Sequence, residues 1–301
     1  MSYQEFLAAF AVAQGVGDVD TLLGEHAARY KFQITSRERA QNAIALLADE
    51  LGVDWRGLRV LDVGCAYGAF TIELTKLGAR AVGIDNNAKW LGLAAVNARG
   101  EVDAPFIDCD ASAFAAREAL APHGPFDLVL LNDVLEHVYD TAGLLANLEA
   151  LTTREAAVWF EVPNGLATQH VLAEGHKKIF GLSLLAPDHW PAFVATPFHI
   201  FYRRWPYFPA LFGAFGFGDL RLITRNRDRD IERTRARIRE DLDRIGALIA
   251  AGGQSPVVER ACGYYLAEAE HDLATMAGGA LYLKYRARFW KGIARKSGST
   301  R

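Results

Sequence analysis

Cysteine is scarce: Cys65, Cys109 and Cys262 are the only three, an odd total with no CxxC spacing. That excludes a disulfide frame and a cysteine zinc site, and it predicts reduced thiols in a cytoplasmic protein. Long hydrophobic runs are lacking too. No stretch approaches the ~18 apolar residues of a membrane span. The apolar stretch near the N-terminus has no basic segment before it, so a secretory leader is not expected. Nor is there an excess of charge of one sign, with 33 Lys and Arg against 36 Asp and Glu and a formal net charge of −3. Neither nucleic acid nor an anionic membrane is therefore an expected partner. There is no internal repeat and no low-complexity tract. What remains, 51% hydrophobic and 23% charged residues over 301 positions, suits one large α/β domain with insertions or two small domains.

Residues 3–51 read as two or three helices, the clearest running from Ser36, as cap, to Leu51, with Ile44, Leu47 and Leu51 on one face. From Leu58 the texture changes to short β-rich runs alternating with amphipathic stretches, which predicts parallel βαβ units. The runs are RVLDV (59–63), AVGID (81–85), PFIDCD (105–110), FDLVLLN (126–132) and AAVWFEV (156–162). Residues 164–200 hold four histidines (170, 176, 189 and 199), three prolines and many aromatics without a period, as a functional loop does. A helix (206–215), a strand DLRLIT (219–224), a helical hairpin (228–251, then to about 276) and a last strand ALYLKYRAR (280–288) complete the expectation. The hairpin carries one apolar stripe, Ile231, Ile238, Leu242, Ile245 and Ile249. Its charges nearly balance, which suits a solvated face or a homodimer contact better than a nucleic-acid groove.

VLDVGCAYGAF (60–70) is a strand, a glycine turn and a helix start in sequence. Gly64 and Gly68 let backbone approach a ligand where a Cβ would collide. The spacing is not the G-x-G-x-x-G of a pyrophosphate turn. Asp62, at the strand's end, suits a cation rather than phosphate. Asp85 ends the second strand, where a carboxylate accepts from two ribose hydroxyls, and Asp108 and Asp110 end the third. Three acidic strand ends at the carboxyl edge of a parallel sheet mark a ligand site.

These motifs resemble the class I S-adenosylmethionine-dependent methyltransferases, whose pattern is V-L-D-x-G-C-G-x-G, an acid after the second strand and D-A after the third. The resemblance covers residues 58–162 and departs at Ala66, where the family has its middle glycine. It implies a doubly wound, mostly parallel, seven-stranded Rossmann-like α/β sheet and S-adenosyl-L-methionine as cofactor. Asp62, Gly64, Cys65, Ala66, Tyr67, Gly68, Asp85, Asn86, Asp110, Ala111 and Asn132 are the implied cofactor contacts, with Trp90 near the adenosine or in the core. The domain pattern is then a helical cap (1–55), a cofactor core (56–163), an acceptor-covering insertion (164–218) and last strands (219–292) holding the hairpin (226–276).

In LNDVLEHVYD (131–140), Asp133, Glu136 and His137 stand at i, i+3 and i+4, one face of a helical turn. Two carboxylates and an imidazole suit Mg²⁺ or another divalent metal. Alternatively His137 is a metal-free general base, with Glu136 beside it, or the group packs. The stretch resembles ubiquinone-type O-methyltransferases and also small-RNA 3′-end ribose methyltransferases, whose E-x-x-E-H pattern and later His imply His199 as a fourth ligand. Asp133 in place of the first Glu departs from that pattern. WFEVPNG (159–165) and EGHKKIFGLSLLAP (174–187) resemble bacterial methyltransferases of glycans and secondary metabolites. That likeness implies Glu161, Asn164, His176 and Tyr202 in the acceptor pocket. The expected reaction is O-methylation of a small molecule or sugar. The alternatives are N- or C-methylation, or a non-catalytic binder of the cofactor.

Overall fold

The computed structural model describes residues 2–195, 200–223 and 230–296. Its strands are β1 (Arg59–Val63), β2 (Arg80–Asp85), β3 (Phe106–Asp108), β4 (Phe126–Asn132), β5 (Thr152–Pro163), β6 (Asp219–Leu222) and β7 (Phe289–Arg295). They form one mixed, mostly parallel sheet in the order β3-β2-β1-β4-β5-β7-β6. Pairing is parallel between β1 and β2, β1 and β4, and β2 and β3. β1 is buried almost throughout, as a central parallel strand covered on both faces must be. The register sets Asp85 opposite Asp108, so two acidic strand ends stand side by side.

The chain divides into two compact units. The first comprises Met1–Asn132, Ala142–Trp159 and Arg295–Arg301. It opens with four helices, α1 (Ser2–Ala13), α2 (Val19–Leu23), α3 (Lys31–Ile34) and α4 (Ser36–Leu51). The α4 bounds are those predicted, but Thr35 holds the cap position without a side-chain bond and Ser36 is already helical. Then come α5 (Ala69–Lys76), α6 (Ala88–Ala98), α7 (Ala116–Leu120) and α8 (Thr141–Leu151). α1 presents Phe6 and Phe10 to Tyr30 and to Tyr67 of the glycine turn, an aromatic cluster shut off from solvent.

The second unit comprises Asp133–Thr141 and Phe160–Ala294. It contains α9 (Thr168–Leu172), α10 (Tyr207–Ala214), α11 (Ile231–Ala250), α12 (Pro256–Thr275) and α13 (Gly278–Leu281). The stripe of α11 is its core: Ile238, Leu242 and Ile245 pack with Leu182, Trp190, Ile200 and Tyr265. Most of the predicted stripe is thus covered within the unit. The predicted strand 280–288 is instead α13 followed by a π-helical turn, Tyr282–Arg286, and the last strand lies later. Leu281 and Tyr285 are fully buried while Leu283 between them is only half-buried, so the burial skips the i+2 position that a strand face would include, as a helical turn does.

Among the described residues no helix is long and apolar enough to cross a membrane.

Candidate active site

In the first unit the turn after β1 alternates its backbone hand. Gly64, Ala66 and Gly68 all take positive φ, at 66°, 46° and 73°. A Cβ on Gly68 would lie 2.5 Å from the Phe106 ring, so both conformation and space require glycine there. Asp85 closes the turn from β2: Oδ2 accepts from the Ala66 N–H at 3.0 Å and Oδ1 from that of Asn87 at 2.9 Å. Asn86 beside it is exposed. Burial pushes Asp85 up, and Asp108 adds to the rise against these backbone bonds.

Asp62 is turned inward, accepting from the Thr71 hydroxyl at 2.7 Å and from the Thr71 N–H. Burial, only partly offset by Thr71, pushes its carboxyl up to about 7. Cys65 is buried, and its N–H bonds to Ile84. Asp110 accepts from the N–H and hydroxyl of Ser112. The Ala111 carbonyl is held by Asn147 of α8 at 2.9 Å, and Asn132 ends β4. Trp90 is 41% exposed with its ring against Tyr67.

A buried support of this turn was not read from the sequence. Arg37 of α4 bonds both oxygens of Asn97 and the carboxylates of Glu73 and Glu101. Asn97 in turn donates to the Tyr67 carbonyl at 2.7 Å. A buried arginine with four acceptors is invisible to a pattern search, since its partners lie 36 to 64 residues away.

In the second unit residues 133–140 are a loop and not the expected helical turn. Asp133 takes φ 56°, which breaks the helical spacing at its first member. The loop is shaped by main-chain bonds, Asp133 N–H to Glu161 O and Phe201 N–H to Glu136 O. Arg203, another residue the sequence reading missed, clamps it by donating to the carbonyls of Leu135, Val138 and Tyr139.

This loop brings Glu136 and His137 together with His176, their ligand atoms all within 4.8 Å of one another. Asp133 stands outside that set, and His199 lies outside the described residues. Glu136 is 1% exposed and among the described residues neither carboxylate oxygen has a hydrogen-bond partner, His137 Nε2 standing 3.8 Å from Oε1. Burial, then the charges of Asp133 and Glu161, push its carboxyl well up, against the pull of Arg203. The His137 and His176 side chains are 37% and 29% exposed, their rings edge to face. A buried carboxylate with no bonded partner behind two accessible imidazoles fits a divalent cation.

The other expected acceptor residues are engaged in bonds of their own. Tyr202 donates to Glu174 at 2.5 Å, and Glu174 also holds His176. Glu161 pairs with Lys291 at 2.7 Å. Asn164 is fully buried: its amide donates to the carbonyls of Leu283, Lys284 and Ala287, and its oxygen accepts from the Leu166 N–H. His170 is buried on the Asn164 carbonyl and pushed down to about 4 by burial, so it is neutral. His189 is exposed.

A family model described as "Methyltransferase domain" matches residues 33–219, more than half of the chain. The chain belongs to the class I S-adenosylmethionine-dependent methyltransferase family. Curated relatives of this methyltransferase include the ubiquinone biosynthesis O-methyltransferases of Rhodopseudomonas palustris strains BisB18 and BisA53, 31% and 36% identical over 133 residues. The match covers 44% of this chain and 46% and 47% of theirs, so the chain spans about half the length of the curated relatives it matches. Among solved structures, a SAM-dependent methyltransferase from Archaeoglobus fulgidus is similar over 89% of this chain and 100% of its own, at 16% identity and a TM-score of 0.47. S-adenosylmethionine would bring an ammonium and two ribose hydroxyls, donors that the buried carboxyl groups of Asp62 and Asp85 beside the glycine turn fit as acceptors.

Proposed function

We propose that this protein transfers the methyl group of S-adenosylmethionine to a hydroxyl of a small molecule or sugar, with Glu136, His137 and His176 activating that hydroxyl. The observation that carries the reading is Glu136, a buried carboxylate without a hydrogen-bond partner among the described residues, beside two accessible imidazoles. S-adenosylmethionine supplies an electrophilic methyl on a sulfonium, so the acceptor oxygen must lose its proton on or before attack. Glu136, His137 and His176 are the donors for a divalent cation, which lowers the pKa of a hydroxyl bound to it. Without the cation, an imidazole of the same set takes that proton. The ubiquinone biosynthesis O-methyltransferases among the relatives support a hydroxyl acceptor.

Transfer of labelled methyl from S-adenosylmethionine to a panel of catechol, sugar and amine acceptors tests this. Hydroxyl acceptors should be labelled. Glu136→Gln and His137→Ala should each lose at least about 100-fold in kcat while binding S-adenosylhomocysteine as the wild type does. Labelling of amines alone, or full activity in both variants, would sink the proposal.

A further inference from the structure

His176 sits on a short turn, and an imidazole there ordinarily samples several rotamers and both tautomers. Here one residue removes that freedom. Glu174, two positions earlier, has a side chain with no exposure at all. Oε2 accepts the main-chain N–H groups of His176 at 2.8 Å and Lys177 at 2.5 Å. Oε1 accepts from His176 Nδ1 at 3.0 Å and from the Tyr202 hydroxyl at 2.5 Å. The turn is closed by main-chain bonds from Glu174 N–H to Ile179 O and from Lys178 N–H to Glu174 O, with Lys178 at φ 60°.

Both Glu174 oxygens are thus taken by donors, two main-chain N–H groups on Oε2 and the Tyr202 hydroxyl on Oε1, so the group that faces Nδ1 is an acceptor. Nδ1 at 3.0 Å from Oε1 completes the set as a donor, which puts the ring proton on Nδ1. The lone pair is then on Nε2. A carboxylate behind a ligating histidine acts in this way at metal sites generally, fixing the ring's angle and raising its basicity.

We propose that Glu174 is a positioning residue that locks His176 with Nδ1 protonated and Nε2 as donor, completing with Glu136 and His137 a three-donor site for a borderline divalent cation of the Zn²⁺, Co²⁺ or Mn²⁺ class. The inference rests on the cation-binding form of the proposed function. Two imidazole nitrogens and one carboxylate favour such ions over Mg²⁺, which prefers oxygen ligands. The ligand set differs from the expected Asp133, Glu136, His137 and His199: the third donor comes from the 174–179 turn, and a glutamate that touches no ion governs it.

Co²⁺ titration of the full chain, followed by visible absorption, tests this without relying on turnover. The wild type should bind Co²⁺ with a ligand-field band. His176→Ala should lose that band, and Glu174→Gln should weaken binding by about 10–100-fold with S-adenosylhomocysteine affinity unchanged. A glutamine offers one oxygen to four donors, and its NH₂ group cannot accept from Nδ1. Wild-type-like Co²⁺ binding in both variants would overturn the positioning role and leave the cation reading standing. No Co²⁺ binding in the wild type would overturn the cation reading and this inference with it. If Glu174→Gln does not fold, ¹⁵N spectra of histidine-labelled wild-type protein decide. The Nδ1–H tautomer is expected at His176, and the Nε2–H tautomer would overturn the proposal.

Discussion

At the residue scale the glycine turn contains a conflict between conformation and side chain. Ala66 lies at φ 46° between Gly64 and Gly68, all three left-handed. For an L-residue with a Cβ that conformation costs roughly 1–2 kcal/mol. Glycine would remove the cost but would also give the unfolded chain more freedom, worth about 0.4–1 kcal/mol in the opposite direction. The first effect is larger. Ala66→Gly should stabilise the protein by about 0.5–1 kcal/mol, read as a higher urea midpoint at unchanged slope. An unchanged or lower midpoint would show that the turn relaxes around Ala66. In the sequence Ala66 is only a departure from the family's middle glycine. Only the backbone angle shows that the cost is conformational.

At the element scale, what was legible followed from how local the physics is. β1, β2 and β4 announce themselves as β-rich runs, and the acids at the ends of β1 and β2 follow from the runs themselves. The segment 280–288 misleads because Ala280, Leu281, Tyr282, Leu283 and Tyr285 are apolar enough for either periodicity. Its helical outcome depends on Asn164, more than a hundred residues away, holding the carbonyls at 283, 284 and 287. The same dependence explains why the acid–histidine site was only half legible. Glu136 and His137 are adjacent in sequence, but His176 and its keeper Glu174 reach them through a turn with no period.

Asn164 therefore belongs to the architecture of the π-helical turn, and its effect should be on stability. Asn164→Ala takes this donor from the carbonyls of Lys284 and Ala287, while Leu283 keeps Trp290 Nε1, and should destabilise by about 3 kcal/mol, with little change in the KM of an identified acceptor. A variant of normal stability with a raised KM would return Asn164 to the acceptor pocket.

At the scale of the whole molecule, the two units place their buried charges differently. The first unit concentrates them on Arg37, beneath the cofactor turn. The second runs a chain of them between its C-terminal elements. Glu268 bonds Arg204 at 2.6 Å and Lys284 at 2.8 Å, and Lys284 continues to Asp272, which also accepts from Tyr285. The Arg204 and Lys284 bonds outweigh burial and hold Glu268 at about 2, below the ordinary 4.5. A carboxyl whose folded value is depressed contributes stability that is fully present above its unfolded value and is lost as pH falls through the folded one. The window is thus from 4.5 down to about 2. Across it the wild type should lose resistance to urea steadily, because protonation frees Glu268 from the exposed Arg204 and from Lys284, which remains partly buried. Glu268→Gln should be less stable than the wild type at pH 7 and show a shallower decline over the same window, since its amide does not titrate. Parallel declines in the two proteins would mean that acid lability resides elsewhere. A shallower decline in the variant would locate part of it in the charge chain joining α12 to the π-helical turn.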